Sequence, residues 1–205
     1  MLTRRSALSI GVLAVVLWIA GFAISGAADN LSDSATDQQV LDWVQGNKTP
    51  LWLGFWVFAL GCAVFIWFLS ELRAGLGAGV LPNLFYAAGV GAALLAMLIP
   101  ADAATAIQDK GHVTAASAGA MHHFGDLPFM AAEIALMASI AAFALHALRT
   151  AVVPRWWAYV TLVVALVLLI GPIGWAAFIF ATPIWTIVTG WLVGSRADAP
   201  VVATA

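Results

Sequence analysis

Residues 51–70 read LWLGFWVFALGCAVFIWFLS and contain no charged side chain. A run of about 20 apolar residues is long enough to cross the ~30 Å hydrocarbon core of a bilayer as a helix. The run lacks the strict alternation of apolar and polar residues that a barrel strand needs. It therefore predicts a transmembrane helix.

Five further apolar stretches, each of about 17 to 22 residues, are found near 7–27, 81–100, 127–148, 155–171 and 173–194. The connectors between the stretches are short or polar, and the longest are 28–50 and 101–126. We expect residues 1–205 to form a single all-α transmembrane domain, a polytopic membrane protein with six transmembrane helices.

The composition excludes several classes of protein. The chain is 63% hydrophobic and 9% charged, with a mean hydropathy of +1.01, whereas a soluble domain is ~45 to 50% apolar and ~25% charged. One cysteine, Cys62, cannot form a disulfide scaffold, and a net charge of -2 without a basic block is not that of a nucleic-acid binder. The lipid bilayer is the expected partner, and the cell (plasma) membrane the expected location.

The basic residues indicate the orientation of the helices. If all six stretches span, six of the eight basic residues fall on one side, namely Arg4, Arg5, Arg73, Arg149, Arg155 and Arg196. Lys48 and Lys110 fall on the other side, among most of the aspartates. The positive-inside rule then predicts that both termini are cytoplasmic.

The first stretch also imitates a signal peptide, because Arg4 and Arg5 precede an apolar run that ends in small residues. The run from Ala7 to Ile24 exceeds the ~7 to 15 residues of a usual signal-peptide core. We expect an uncleaved anchor; cleavage would leave five helices.

Both long connectors predict short helices. Ser34-Ala35-Thr36-Asp37 resembles a capping box, and apolar residues follow at helical spacing until Gly46, which predicts a surface helix with Trp43 at the membrane interface. Residues 101–126 predict one or two further helices. Six tryptophans near helix ends are expected to be interfacial anchors: Trp52, Trp56, Trp67, Trp156, Trp157 and Trp191.

Glu133 is an acid within the apolar part of the fourth stretch. A carboxylate there costs on the order of 2.5 to 3.5 kcal/mol, so it should face the bundle and be protonated, paired or hydrated. Asp126, Met130, Glu133 and Met137 share a helix face. This face could carry a proton or a cationic solute inward from Asp126. Alternatively, Glu133 forms a hydrogen bond to a neighbouring helix for packing.

The sixth stretch offers a polar partner for Glu133. Thr182, Thr186 and Thr189 recur on one face, and Pro183 removes the backbone hydrogen bond to Ile179. We expect Pro183 to bend the helix and Thr182 and Thr186 to face the interior near the fourth helix. In the alternative, each threonine hydroxyl bonds to its own helix.

One cluster has residue types that bind metals. In a helix His122 and Asp126 point the same way and could share a zinc or copper ion, with His112 as a third ligand. The alternative is a pair of histidines, His122 and His123, exposed to water at the membrane boundary.

Several segments together resemble a known family: Val40-Leu-Asp-Trp-Val44, the second stretch ending in Phe68-Leu-Ser-Glu-Leu-Arg73, Val153-Pro-Arg-Trp-Trp157 and Pro172-Ile-Gly-Trp175. In these the chain is similar to uncharacterised six-helix integral membrane proteins of actinobacterial type, a domain-of-unknown-function family. The resemblance implies a fold and no activity, cofactor or site residue.

Three functions stay open at this point. The first is a bundle that binds or passes a small solute or proton through Glu133, for which a chain of this size without repeats would need a homo-oligomer. The second is a metal-dependent membrane enzyme or respiratory accessory that uses the outer-face residues. The third is a structural assembly subunit.

Overall fold

The computed structural model describes residues 4–26, 28, 31–32, 34–106 and 112–197, with only the backbone described at 4–5, 172 and 196–197. Within these residues every regular element is a helix. The all-α prediction is confirmed.

The helices follow each other with short connections, and the long sixth helix is interrupted. Residues 171–197 form α9, a five-residue π-helical segment and α10 without a break. The elements are α1 (Arg4–Ser25), α2 (Asp37–Gly46), α3 (Lys48–Gly75), α4 (Val80–Ala96), α5 (Asp102–Ala106), α6 (Ala115–Phe124), α7 (Asp126–Thr150), α8 (Arg155–Val167), α9 (Gly171–Ala176), the π-segment (Ala177–Ala181) and α10 (Thr182–Ala197).

Four helical stretches of the described chain are long and apolar enough to cross a membrane: Ser6–Ser25, Lys48–Gly75, Ala115–Thr150 and Ile173–Ser195. The predicted third and fifth spans correspond to α4, of 17 residues, and α8, of 13 residues. At ~1.5 Å per residue these two helices rise only about 25 and 20 Å. Four of the six predicted spans thus reach membrane length as continuous helical stretches.

Six helices form a ring in the order in which the chain produces them. Contacts run from α1 to α3, from α3 to α4, from α4 to α7 and from α7 to α8. Tryptophan–threonine hydrogen bonds join α8 to α10, and α10 packs back against α1. The first and last long helices are therefore neighbours.

Glycines bring α1 and α3 into close contact. A methyl group on Gly54 would lie 2.8 Å from the backbone nitrogen of Ser25, and one on Gly21 would lie 2.7 Å from that of Phe58. A methyl group on Gly61 would lie 2.7 Å from the Trp18 ring. Only glycine at these positions permits so close an approach of the two helices.

Aromatic rings fill much of the bundle interior. Phe65 packs against Trp18 and Phe68, with ring centroids 4.8 and 5.9 Å apart. Phe143 of α7 contacts Phe85 of α4 at 5.5 Å and Trp185 of α10 at 5.6 Å. These ring contacts join α1 to α3, and separately join α7 to both α4 and α10.

The helices α2, α5 and α6 form a cap at one end of the bundle. Val40 and Val44 of α2 are buried in a small apolar cluster with residues of α3, α5 and α6. The prediction of one short helix in 28–50 that ends at Gly46 is confirmed, and the one or two helices predicted in 101–126 are two, α5 and α6. The predicted capping box is displaced by two residues: Thr36 and Gln39 form it, and not Ser34 and Asp37, because α2 begins at Asp37.

The opposite end of the bundle holds a tight α3–α4 connection. The Arg73 guanidinium donates hydrogen bonds to the Gly77 carbonyl and to the Asn83 side chain, each at 2.6 Å. Gly77 has a φ of 77°, which a residue with a Cβ rarely adopts. The two helices are thereby held as an antiparallel pair.

The contact between α8 and α10 corrects one expectation. Trp157 of α8 is buried and donates a hydrogen bond to Thr189 of α10 at 3.0 Å, and Trp185 of α10 donates one to Thr161 of α8 at 3.2 Å. Trp157 is therefore an internal residue and not an interfacial anchor, whereas Trp156 is exposed.

Candidate functional site: an apolar cavity beside Glu133

Glu133 lies on α7 where this helix meets the start of α9. Its Oε1 atom is buried and has no hydrogen-bond partner among the described residues. A methyl group placed on Gly174 would lie 3.2 Å from that oxygen and 2.6 Å from the Leu168 carbonyl oxygen. The absence of a side chain at Gly174 thus leaves room for the carboxyl group between α7 and the α8–α9 connection.

The other residues of the predicted acidic face have different surroundings. Asp126 is exposed at the first position of α7, and Met130 is exposed on the following turn. Met137 is partly buried against the core. The face therefore runs from the exposed surface at the cap end into the bundle, with Glu133 at the transition.

The threonines of α10 face the interior, as predicted. Thr182, Thr186 and Thr189 are each no more than 2% exposed. Thr186 donates its hydroxyl to the Thr182 carbonyl at 2.8 Å, and Thr182 donates to the Ala177 carbonyl at 3.4 Å. Both hydroxyls are therefore satisfied within their own helix, and neither forms a hydrogen bond to Glu133.

The backbone around Pro183 departs from a regular α-helix. The Thr182 N–H donates to the Ala177 carbonyl, five residues back, which closes the π-segment. Pro183 has no N–H to donate to the preceding turn. A π-bulge and a proline in succession widen this part of the helix.

The predicted metal ligands do not come together. His122 Nδ1 lies 3.0 Å from Asp102 Oδ2, so its partner comes from α5 and not from Asp126. His112 is exposed. The described residues contain no group of three or more His, Cys, Asp or Glu side chains placed to hold one metal ion.

A cavity with a volume of about 650 Å³ lies in the described part of the chain. This lies within the ~300 to 1,000 Å³ range of small-molecule sites. It is enclosed by α1, α3, α4, α7 and the π-segment with the start of α10, and its wall is almost entirely apolar. The lining residues are Trp18, Ile19, Phe22, Ala23, Phe58, Phe65, Ala92, Ala93, Ala96, Leu136, Phe178, Ile179, Phe180, Thr182, Pro183 and Ile184.

The cavity opens sideways between α1 and the π-segment. Its deep wall is buried, for example at Phe65 and Ala93. Its rim is exposed: Ile19 is 59% exposed, Phe180 64% and Ile184 60%. The opening therefore lies on the apolar flank of the bundle and not at either end.

Glu133 lies next to the cavity on the cap side. Leu136, three residues further along α7, lines the cavity, and so does Phe178, four residues after Gly174. Phe178 also packs against Phe129, one turn before Glu133, with ring centroids 5.3 Å apart. Glu133 thus lies three residues, or ~4.5 Å of helix rise, from the cavity-lining Leu136 on the same helix.

Sequence reasoning identified Glu133, Thr182 and Pro183 but missed the cavity. Its space arises because the small residues Ala92, Ala93 and Ala96 of α4 face aromatic residues of α1 and α3. The alanines are visible in the sequence, but the pairing of α4 with its neighbours is not.

No protein-family model, no curated protein and no solved structure matches the chain. The resemblance to six-helix membrane proteins therefore stays a prediction, and the site has to be interpreted from its own geometry.

Proposed function

We propose that the protein is a multi-pass cell-membrane protein with six spans and cytoplasmic termini that binds a membrane lipid or another lipophilic molecule in its lateral cavity. The observation that carries this proposal is the opening of the 650 Å³ apolar cavity on the flank of the bundle. A flank of this kind faces acyl chains, so a ligand enters from the bilayer and not from water.

The six-span arrangement is supported by the ring of helices. The shorter helices α4 and α8 occupy places in the ring equivalent to those of the four long helices. With six spans the cap lies outside, and Arg73, Arg149 and Arg155 lie on the cytoplasmic side, as the positive-inside rule requires.

The lining supports an apolar ligand more than a proton or a hydrophilic solute. A path for such a solute needs polar groups that replace its hydration. The described cavity wall contains one hydroxyl, that of Thr182, which bonds to its own helix. Aromatic and aliphatic walls instead match an acyl or isoprenoid chain.

The cavity also lies at a defined depth. Many of its residues belong to the halves of α1 and α4 nearest the cap, such as Phe22 and Ala96, or to the π-segment, such as Phe178. With the cap outside, the opening is level with the outer leaflet. The ligand is then a molecule of that leaflet.

Photolabelling tests this proposal. The full chain is reconstituted in phosphatidylcholine nanodiscs that contain a phospholipid with a diazirine in its acyl chain, and labelled peptides are mapped by mass spectrometry. We expect enrichment of label at residues 178–184 and 18–23 over other exposed apolar surfaces. Ala93→Trp, which fills the buried wall, should abolish this enrichment.

The matched control is Ala63→Trp, because Ala63 lies on the exposed side of α3 and does not line the cavity. This variant should leave the labelling pattern unchanged. Uniform labelling of all exposed faces in the wild-type protein would refute a lateral binding site.

A further inference from the structure

We infer that Glu133 binds the polar head of the cavity's ligand, and that this ligand is an amphiphile whose head donates hydrogen bonds, with a lipophilic ammonium compound as the strongest binder. The inference rests on the proposed cavity function and adds the chemical class of the head group.

The first observation is the unpartnered oxygen of Glu133. Its Oε1 is buried without a hydrogen-bond partner among the described residues. An unsatisfied buried acceptor is unfavourable, and a carboxyl group within the apolar part of a span more so. A donor from outside the protein removes this cost.

The second observation is the position of the carboxyl group relative to the cavity. Leu136, three residues after Glu133 on α7, lines the cavity, and so does Phe178 of the π-segment, four residues after Gly174, which lies beside the Glu133 carboxyl group. A chain that fills the cavity can therefore direct its head along α7 toward Glu133. The head then lies on the cap side, where outer-leaflet head groups are found.

The third observation concerns the polarity of the surroundings. The described residues place no Lys or Arg in an ion pair with Glu133. The Leu168 carbonyl oxygen lies beside the same space near Gly174. Two oxygen acceptors at one point favour a head with several donors, which an ammonium group provides.

Competition with matched single-chain probes tests the inference. Octadecylamine and octadecyl methyl ether share one chain length, but only the amine donates hydrogen bonds. Each probe competes against the diazirine phospholipid for labelling of residues 178–184 in the wild-type protein. We expect the amine to compete roughly 10- to 100-fold better, the range for one hydrogen bond to a charged group.

Glu133→Gln should remove most of this preference while the ether competes as before. Asp126→Asn is the matched control, since Asp126 is an exposed acid seven residues earlier on the same helix. It should retain the preference, which also excludes a general effect of surface charge. Comparing each probe between protein variants cancels the difference in how the probes partition into lipid.

Two results would overturn the inference in distinguishable ways. Equal competition by amine and ether, with labelling that Ala93→Trp still abolishes, would leave the cavity as a lipid site and refute the role of Glu133. Absence of enriched labelling in the wild-type protein would refute the cavity function and the inference together. The wild-type comparison of probes needs no variant to fold.

Discussion

The buried hydroxyl groups of four bundle residues, Ser139, Thr161, Thr186 and Thr189, are satisfied in two ways. Ser139 donates to the Phe85 carbonyl at 2.7 Å and so links α7 to α4, whereas Thr186 bonds within its own helix. Thr161 and Thr189 accept hydrogen bonds from buried tryptophans. Glu133 differs from all of these because its buried oxygen is unpaired.

Replacing Thr189 by Val should destabilise the protein by about 1 to 2 kcal/mol, because the Trp157 N–H is left buried without an acceptor. Thermal unfolding in detergent measures the effect. Thr150→Val is the control: its hydroxyl is exposed and bonds to the carbonyl of His146 in the same helix, so the midpoint should hardly change. Equal unfolding midpoints for the two variants would contradict a stabilising hydrogen bond between Trp157 and Thr189.

At this scale the sequence predicts which residues face inward but not what they contact. The spacing of Thr182, Thr186 and Thr189 predicts a common buried face, and the burial confirms it. Whether Thr186 meets Glu133 depends on the rotation of α10 against its neighbours. A methyl group on Gly11 of α1 would lie 3.4 Å from the Thr186 methyl group, so this residue packs toward α1.

Helices α1 and α3 approach each other closely at Gly54, where glycine leaves room for the backbone of α1. Gly54→Leu should destabilise the α1–α3 pair by more than about 2 kcal/mol, because any side chain there meets the backbone of Gly21 and Ser25. Gly91→Leu on α4 is the control, since nothing lies within 4 Å of a methyl group at that position. Detergent unfolding of both variants measures the difference. Helix propensity favours leucine over glycine at both positions, so similar losses of stability would contradict the role of the close contact at Gly54.

The sequence predicts Ser34 as the N-cap of α2, whereas the structure has Thr36 at that position. Thr36→Ala removes the acceptor for the Gln39 N–H and should cost about 1 kcal/mol of local stability, seen as faster hydrogen exchange across residues 37–46. Ser34→Ala should leave exchange there unchanged. If exchange became faster in Ser34→Ala and not in Thr36→Ala, Ser34 and not Thr36 would be the N-cap of α2.

The boundaries of the elements show what sequence patterns can predict. Helix α2 was predictable because a cap, an amphipathic pattern and Gly46 all lie within one short segment. The length of α8 was not, since residues 168–170 are as apolar as the helix before them. What ends α8 is the turn into Gly171, whose φ is 37°.

For the whole molecule, six spans predict opposite accessibility of the two ends of the bundle. In a Cys62→Ala background, a cysteine at exposed Ser32 should react with a membrane-impermeant maleimide on intact cells, and one at exposed Ala74 should react only after lysis. Reaction of both positions on intact cells would contradict the proposed orientation.

The sequence supports this prediction of orientation through the distribution of charged residues alone. The cavity, by contrast, depends on packing between helices far apart in the chain, which the sequence does not show.

The neighbouring positions of α1 and α10 have a consequence for biosynthesis. Gly11 and Gly190 place these helices against each other over the Phe68 ring. Helix α1 emerges from the ribosome first and α10 last, so the surface of α1 that α10 covers waits while the rest of the chain is made, on the order of 10 to 30 s at ~5 to 20 residues per second. During that interval Gly11 and Ala7 lack the helix that covers them, and the ring of helices closes only when α10 has been made.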